Sequence, residues 1–369
     1  MAAFLVPHSL SPGLGCVDGI LESRSLGDAK IDQQSLDRVF ILIPTTRRPE
    51  LTRALLSTIA TIGCRKVVLV SDRDDENVYR HRLMCDPTVQ VVTLEQMRRD
   101  CLAKLRRNKN AELLRAITAG NSSQRRVWDL PAKRNIGLMY GALHGFDKLI
   151  LLDDDISNIN SELLKNALIV STGLALLGVL IDHFPDLSVI EHIRWRLYRE
   201  YEPFIAGNCL IIDLKQTCGY FPRLYNEDWL FIFAHPKQRV GFVSNWFIHQ
   251  QEYDPFKPEK AIWQEFGDTV AEGMFDAWSS DRIEESTTID FWDSFSKQRK
   301  NSLRDIRCDL VGMPAQNEPR MLECIEAAHL RSCEFRPRDL LDFMQRSRTS
   351  SEQYSQMLLE LRGQFANGN

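Results

Sequence analysis

The run Lys148-Leu149-Ile150-Leu151-Leu152 ends abruptly in three consecutive aspartates, Asp153, Asp154 and Asp155. Apolar residues in a row, without alternation, read as a strand buried on both faces of a largely parallel sheet. In open α/β sheets, ligands bind beyond the carboxyl ends of such strands. Three carboxylates packed there repel one another, so a cation belongs among them. A hard divalent ion held by one or two carboxylates and by substrate phosphates suits that position. Taken alone, the same residues would serve equally as a solvated turn capping the next helix.

The flanking stretches alternate between strand and helix patterns. A strand is expected at Val39-Phe40-Ile41-Leu42-Ile43, followed by the loop Pro44-Thr45-Thr46-Arg47-Arg48. Pro49 suits a first helical turn, Leu51, Leu55, Leu56 and Ile59 recur at helical spacing, and Gly63 fits a C-terminal cap. Lys66-Val67-Val68-Leu69-Val70 predicts a second strand ending at Ser71-Asp72, and Gln90-Val91-Val92-Thr93 a third. A polar helix is expected from about Leu94 to Thr118, and another from Ala132 to His144. Cys209-Leu210-Ile211-Ile212 and Val240-Gly241-Phe242-Val243 read as later strands. This order predicts an α/β protein with a mostly parallel sheet flanked by helices. Ala167 to Ile181, apolar apart from Ser171 and Thr172, is too short for a membrane span and reads as one buried helix.

Residues 1–37 read as a partly disordered leader without the basic start of a secretion signal. Residues 38–280 read as one α/β domain in two parts, 38–160 and 161–280. Residues 281–369 are helical and charged, and read as a C-terminal appendage. The net charge of −4 gives no support to nucleic-acid binding. The nine cysteines are scattered, odd in number and free of C-x-x-C pairs, so no zinc ribbon or disulfide framework is indicated. A reducing cytoplasm is the expected compartment.

Four segments, taken in order, resemble the GT-A fold nucleotide-sugar glycosyltransferases, family 2-like, over roughly Val39 to Pro255. Ile43-Pro44-Thr45-Thr46-Arg47-Arg48-Pro49 is similar to the opening strand and nucleotide-binding loop. Pro131-Ala132-Lys133-Arg134-Asn135-Ile136-Gly137 resembles the helix preceding the metal strand. Leu152-Asp153-Asp154-Asp155 matches the D-x-D element, and Asn226-Glu227-Asp228-Trp229 resembles the Glu-Asp segment on the acceptor side. The resemblance implies transfer of a sugar from a nucleoside diphosphate donor, most often UDP-linked, with Mn²⁺ or Mg²⁺ as cofactor. It makes Asp155 a direct metal ligand, with His249 after the last strand as a second one. An imidazole suits Mn²⁺ better than Mg²⁺. Asp153 would hold the ribose or a metal-bound water, with Asp154 beside it.

On the donor side, Pro44, Thr45 and Arg48 would touch base or phosphates, and Asp72 would read the base or else cap a helix. Arg134 offers a planar fork to phosphate oxygens. On the acceptor side, Asp228 would take the proton from the attacking hydroxyl while Glu227 orients the acceptor. Arg194, Arg196 and Arg199 suit either an anionic acceptor or a solvated helix face. No Q-x-x-R-W follows the Glu-Asp segment, which points away from polysaccharide synthases and towards addition of one or a few sugars. Homo-oligomerisation stays open. Two other classes remain: a sugar-1-phosphate nucleotidyltransferase, disfavoured by the glycine-free first loop, and a nucleotide- or carbohydrate-binding protein without turnover.

Overall fold

The computed structural model describes residues 20–27, 30–45, 49–71, 87–105, 109–118, 129–182, 184–198, 204–311 and 318–366. The strands are β1 (Glu22–Arg24), β2 (Val39–Thr45), β3 (Arg65–Val70), β4 (Val89–Thr93), β5 (Lys148–Leu152), β6 (Ile156–Ser157), β7 (Leu176–Asp182), β8 (Cys209–Asp213) and β9 (Val240–Gln250). They form one sheet in the order β1-β9-β7-β8-β5-β2-β3-β4, with β6 added against β9. The pairs β1·β9, β2·β3, β2·β5, β3·β4 and β7·β9 are parallel. β8 runs antiparallel between β5 and β7. The sheet is therefore mixed but mostly parallel.

Side chains alternate across a strand, and the uniformly apolar strands put both sets to use. Phe40, Leu42, Leu149, Leu151, Leu210 and Ile212 belong to one core layer. Val39, Ile41, Ile43, Ile150, Leu152 and Ile211 belong to the other. Helices α3 (Leu94–Leu105) and α5 (Leu130–Leu143) cover the first layer through Met97, Cys101, Ile136 and Met139. Helices α2 (Pro49–Thr58) and α6 (Ser161–Val170) cover the second through Leu55, Leu56, Leu164 and Leu168. The expected strands at 39–43, 66–70, 90–93, 148–152, 209–212 and 240–243 all lie within observed ones. The stretch expected as one polar helix holds α3 and α4 (Lys109–Thr118) among its described residues.

One expectation is corrected. Ala167 to Ile181 is not a single helix: α6 ends at Val170, and β7 begins at Leu176. Between them Gly173 takes φ +85°, a left-handed turn that favours glycine. β7 lies in the middle of the sheet with Leu176, Leu177, Val179 and Leu180 buried. A continuous apolar run fits a doubly buried strand as well as a buried helix, so periodicity could not separate the two. Among the described residues no helix is long and apolar enough to cross a membrane.

Within the expected leader, Glu22–Arg24 extends the sheet beside β9. After 280 the chain is helical, as expected: α9 (Pro258–Ser279) is followed by α10 (Ile289–Leu310), α11 (Glu318–Glu334) and α12 (Pro337–Ala366). Helix α12 sends Tyr354, Met357, Leu358 and Leu361 into the same core layer as α5. Its Tyr354 hydroxyl donates to the Asn135 carbonyl at 2.5 Å, with both residues wholly buried. Arg362 Nη2 donates to the Phe146 carbonyl at 2.6 Å. Replacing Tyr354 with Phe removes one buried hydrogen bond and should cost about 1 kcal/mol. Urea unfolding followed by tryptophan fluorescence should shift as one transition. An unchanged midpoint would mean that α12 does not support the sheet core.

Candidate active site

The carboxyl ends of β2, β5 and β7 come together with the start of the antiparallel β8. Alternation along β5 sets where the aspartates go. Leu149 and Leu151 face the layer covered by α5, so Asp153, next in that series, meets Arg134 of α5. Asp154 instead accepts a short hydrogen bond from Thr45 Oγ1 at the end of β2. Lys133, one residue before Arg134, donates to the Thr45 carbonyl at 2.7 Å and to Ser71 Oγ at 2.8 Å. Its ammonium also lies 3.2 Å from Asp129, so the start of α5 ties together the ends of β2 and β3.

Arg134 is buried and shared. Its Nη1 donates to Glu227 Oε1 at 2.8 Å, and its Nη2 lies 3.3 and 3.5 Å from the two oxygens of Asp153. Its guanidinium also sits 5.6 Å from the Phe221 ring centroid. A Cβ at Gly207 would come within 2.4 Å of that guanidinium, so only glycine lets the loop before β8 pass over it. Arg134 was expected to grip a donor phosphate; here both terminal nitrogens join the D-x-D segment to the Glu-Asp segment.

Asn208 extends the network. Its Nδ2 lies 3.0 Å from Asp186 Oδ2, 3.4 Å from Asp153 Oδ2 and 3.4 Å from Gln250 Oε1. Asp228 is held by backbone on both sides: Gly207 N–H donates to Oδ2 at 2.7 Å and Trp229 N–H to Oδ1 at 2.9 Å. Each carboxylate oxygen keeps a further lone pair.

Negative charge outnumbers positive in this cleft. Burial pushes the Asp153 carboxyl up to about 7; Arg134 opposes the shift, and Asp155, Asp186 and Asp154 add to it. Burial likewise lifts Glu227 to about 8, against Arg134 and with Asp228. Burial disfavours the charge of Arg134, but Asp153, Glu227 and Asp228 outweigh it, and the guanidinium stays ionised. One guanidinium divided among several acids leaves each acid only partly neutralised. Asp186 is exposed to solvent and yet raised, first by desolvation from surrounding protein and then by Asp155 and Asp228.

Asp155 follows directly in the turn, its carbonyl accepting from Gln251 N–H at 3.0 Å. His249 Nε2 lies 2.9 Å from Asp182 Oδ1, at the paired ends of β9 and β7. Among the described residues no three His, Cys, Asp or Glu side chains converge on a ready-made metal site. The donor chemistry still suits a divalent ion. Asp155 supplies a carboxylate directly before β6, which pairs with β9 through Ser157 and His249, the imidazole, and the surrounding acids exceed the cations. A substrate diphosphate would complete the coordination. Pro44 is buried at the end of β2. Arg48, Asp72 and Arg199 lie outside the described residues. Arg194 pairs with Glu191 at 3.5 Å, and Arg196 sits 5.1 Å from the Phe256 ring centroid.

Asp186, Asn208, Lys133, Asp182 and Gln250 were not singled out from sequence. Asp182 and Asp186 would have been, had 176–182 been read as a strand, because Asp182 ends it and Asp186 follows shortly after.

No protein-family model and no curated protein matches the chain. Among solved structures, glucosyl-3-phosphoglycerate synthase from Mycobacterium tuberculosis, in complex with Mn²⁺, UDP and phosphoglyceric acid, is similar at 11% identity and a TM-score of 0.45. The match covers 70% of this chain and 86% of that one. A mannosyltransferase from Pyrobaculum calidifontis, in complex with GDP-Man and Mn²⁺, is similar at 12% identity and a TM-score of 0.40. It covers 92% of this chain and 90% of that one. A 4-diphosphocytidyl-2C-methyl-D-erythritol synthase from Anaerococcus prevotii is similar at 11% identity and a TM-score of 0.33, covering 59% and 90%.

The raised Glu227 has a consequence for stability. Between its ordinary 4.5 and the folded value of about 8, the folded protein binds more protons than the unfolded chain. Stability should therefore be fullest below about pH 4.5 for this group and fall as pH rises towards 8. Glu227→Gln removes the titration, so its urea midpoint should change less between about pH 5 and about pH 8 than that of the parent. Equal slopes for the two proteins would contradict the shift.

Proposed function

We propose that this chain is a metal-dependent glycosyltransferase that moves a sugar from a nucleoside diphosphate donor, UDP-linked in the first instance, to an acceptor hydroxyl. The observation that carries the reading is Arg134. One buried guanidinium joins an acid of the strand-end aspartate triplet to an acid of the Glu-Asp helix, amid carboxylates in excess. This contact supports a site shared between the two segments, with Asp186 exposed near it.

Asp155 and His249 would hold Mn²⁺ or Mg²⁺, with Asp182 orienting the imidazole as outer-shell carboxylates commonly do. Such an ion offsets the charge that develops on the leaving diphosphate. Asp153 would face the donor ribose. Asp154, fixed by Thr45, would shape the floor, while Pro44, Arg48 and Asp72 would flank the base and phosphates. Asp228 would accept the proton of the attacking hydroxyl. Its two backbone donors hold it in place and leave a lone pair for that proton. Glu227, tied to Arg134, would keep the acceptor side in register with the donor side.

Incubation with UDP-glucose or GDP-mannose and Mn²⁺ tests the reading through release of the nucleoside diphosphate. Pyrophosphate exchange without that release would indicate a nucleotidyltransferase instead. Asp155→Ala should abolish release and remove the Mn²⁺-dependent rise in melting temperature expected with UDP, since a ligand carboxylate is worth several kcal/mol in such a site. Normal turnover in that variant would refute the metal assignment.

A second variant separates the acceptor side from the donor side. Asp228→Asn should lower kcat by about 10²–10⁴-fold while UDP binding stays near the parent value, because proton removal is the step affected. Loss of UDP binding at unchanged stability would place Asp228 with the donor.

A further inference from the structure

Asn226, immediately before Glu227 and Asp228, takes the left-handed conformation, φ 63° and ψ 34°. Few side chains adopt it without strain, although asparagine is among the most tolerant. Its Nδ2 donates to Asp268 Oδ1 of α9 at 2.9 Å. The same helix presses on the preceding residue: a Cβ at Gly267 would come 2.4 Å from the Tyr225 carbonyl oxygen. The backbone that launches the helix α8 (Glu227–Phe233) is thus fixed from one side by α9.

Asp268 is itself held from further away. Glu265, Asp268 and Glu272 recur at helical spacing on one face of α9, all turned towards Arg299 of α10. Arg299 donates from Nε and Nη2 to Glu265 at 3.0 and 2.9 Å, and from Nη1 to Glu272 at 2.7 and 2.9 Å. Its Nη2 lies 3.6 Å from Asp268 Oδ2. Glu265, Asp268 and Arg299 are all buried. Replacing such a group by a well-packed apolar one often costs nothing, so charge buried here serves geometry better than stability.

We propose that the chain Arg299–Asp268–Asn226 is a positioning device: it holds Asn226 left-handed and so aims Glu227 at Arg134 and Asp228 at the loop before β8. This rests on the reading of Asp228 as the acceptor-side base. Asn226, Asp268 and Arg299 act through Asp228 and touch no substrate. The device also gives α10, which lies beyond the expected catalytic domain, a part in the site.

The test uses the full chain with Asn226→Ala, Asp268→Leu and Asp268→Asn, the last of which keeps an oxygen that accepts from Asn226. Two readouts are taken on the folded fraction: UDP release from UDP-glucose with Mn²⁺, and amide hydrogen exchange at Gly207, whose N–H donates to Asp228. Asn226→Ala and Asp268→Leu should lower kcat by about 10-fold or more, as misplacement of a reacting group does. Donor KM should stay within about twofold, and Gly207 exchange should quicken; Asp268→Asn should recover most of both. A melting-point loss with parental kcat and parental Gly207 exchange would make the network purely structural and overturn the proposal. If the parent releases no UDP, the assignment of function fails by itself, and Gly207 exchange still decides whether Asn226 and Asp268 position Asp228.

Discussion

The contact on which the site depends is the division of one guanidinium between two acids. Arg134 comes from α5, Asp153 from the end of β5, and Glu227 from the start of α8; Arg134 and Glu227 are buried where they meet, and Asp153 is half-buried beside them. A buried ion pair is a poor source of net stability, because desolvation takes back much of the attraction. Breaking one is expensive, however, since it leaves an unpaired charge behind. Arg134 therefore acts as a constraint more than as glue. Any arrangement that separates β5 from α8 exposes a buried acid to a missing partner. Gly207 reinforces the constraint from above, since its backbone passes close over the guanidinium.

Excess negative charge follows from the same geometry. Asp153 and Glu227 cannot both be fully neutralised by one cation, and Asp154, Asp155, Asp186 and Asp228 crowd around them. Such a cleft is poorly matched to its own charge and well matched to something cationic. On the proposed reading, a divalent ion arriving with a diphosphate would bring its positive charge to the acids and its negative partner to the open side. The resulting balance is why strand-end carboxylates and phosphate substrates so often occur together in open α/β sheets.

Much of this frame was legible in the chain. Leu149 to Leu152, Val67 to Val70 and Phe40 to Ile43 have no polar face, and only a strand covered on both sides accommodates that. The resemblance assigned the Arg134, Asp153 and Glu227 segments to one site, but it gave Arg134 to a donor phosphate and did not foresee its contact with both acids. Two features stayed hidden for physical reasons. β7 was masked because Leu174 to Ile181 has no alternation, so helix and buried strand look alike, and the acids at its end lost their significance with it. The buried charge of α9 and α10 was masked because Glu265, Asp268, Glu272 and Arg299 carry the composition of a solvated helix face. Only the tertiary packing of one helix on the other turns that face inward.

The two hidden features bear on the same place. Asp186, after β7, and Asp228, at the start of α8, belong to the same cluster of acids. β7 is held by the sheet itself, between β9 and β8. α8 is short, at seven residues, and opens on two acids, of which Glu227 is buried. A short helix carrying charged residues at its start needs an external brace. Here the brace is α9, through Gly267 on Tyr225 and Asp268 on Asn226, with Arg299 behind it. The helices beyond the sheet thus meet a mechanical requirement that the sheet leaves open: they hold one wall of the cleft while the strands hold the other.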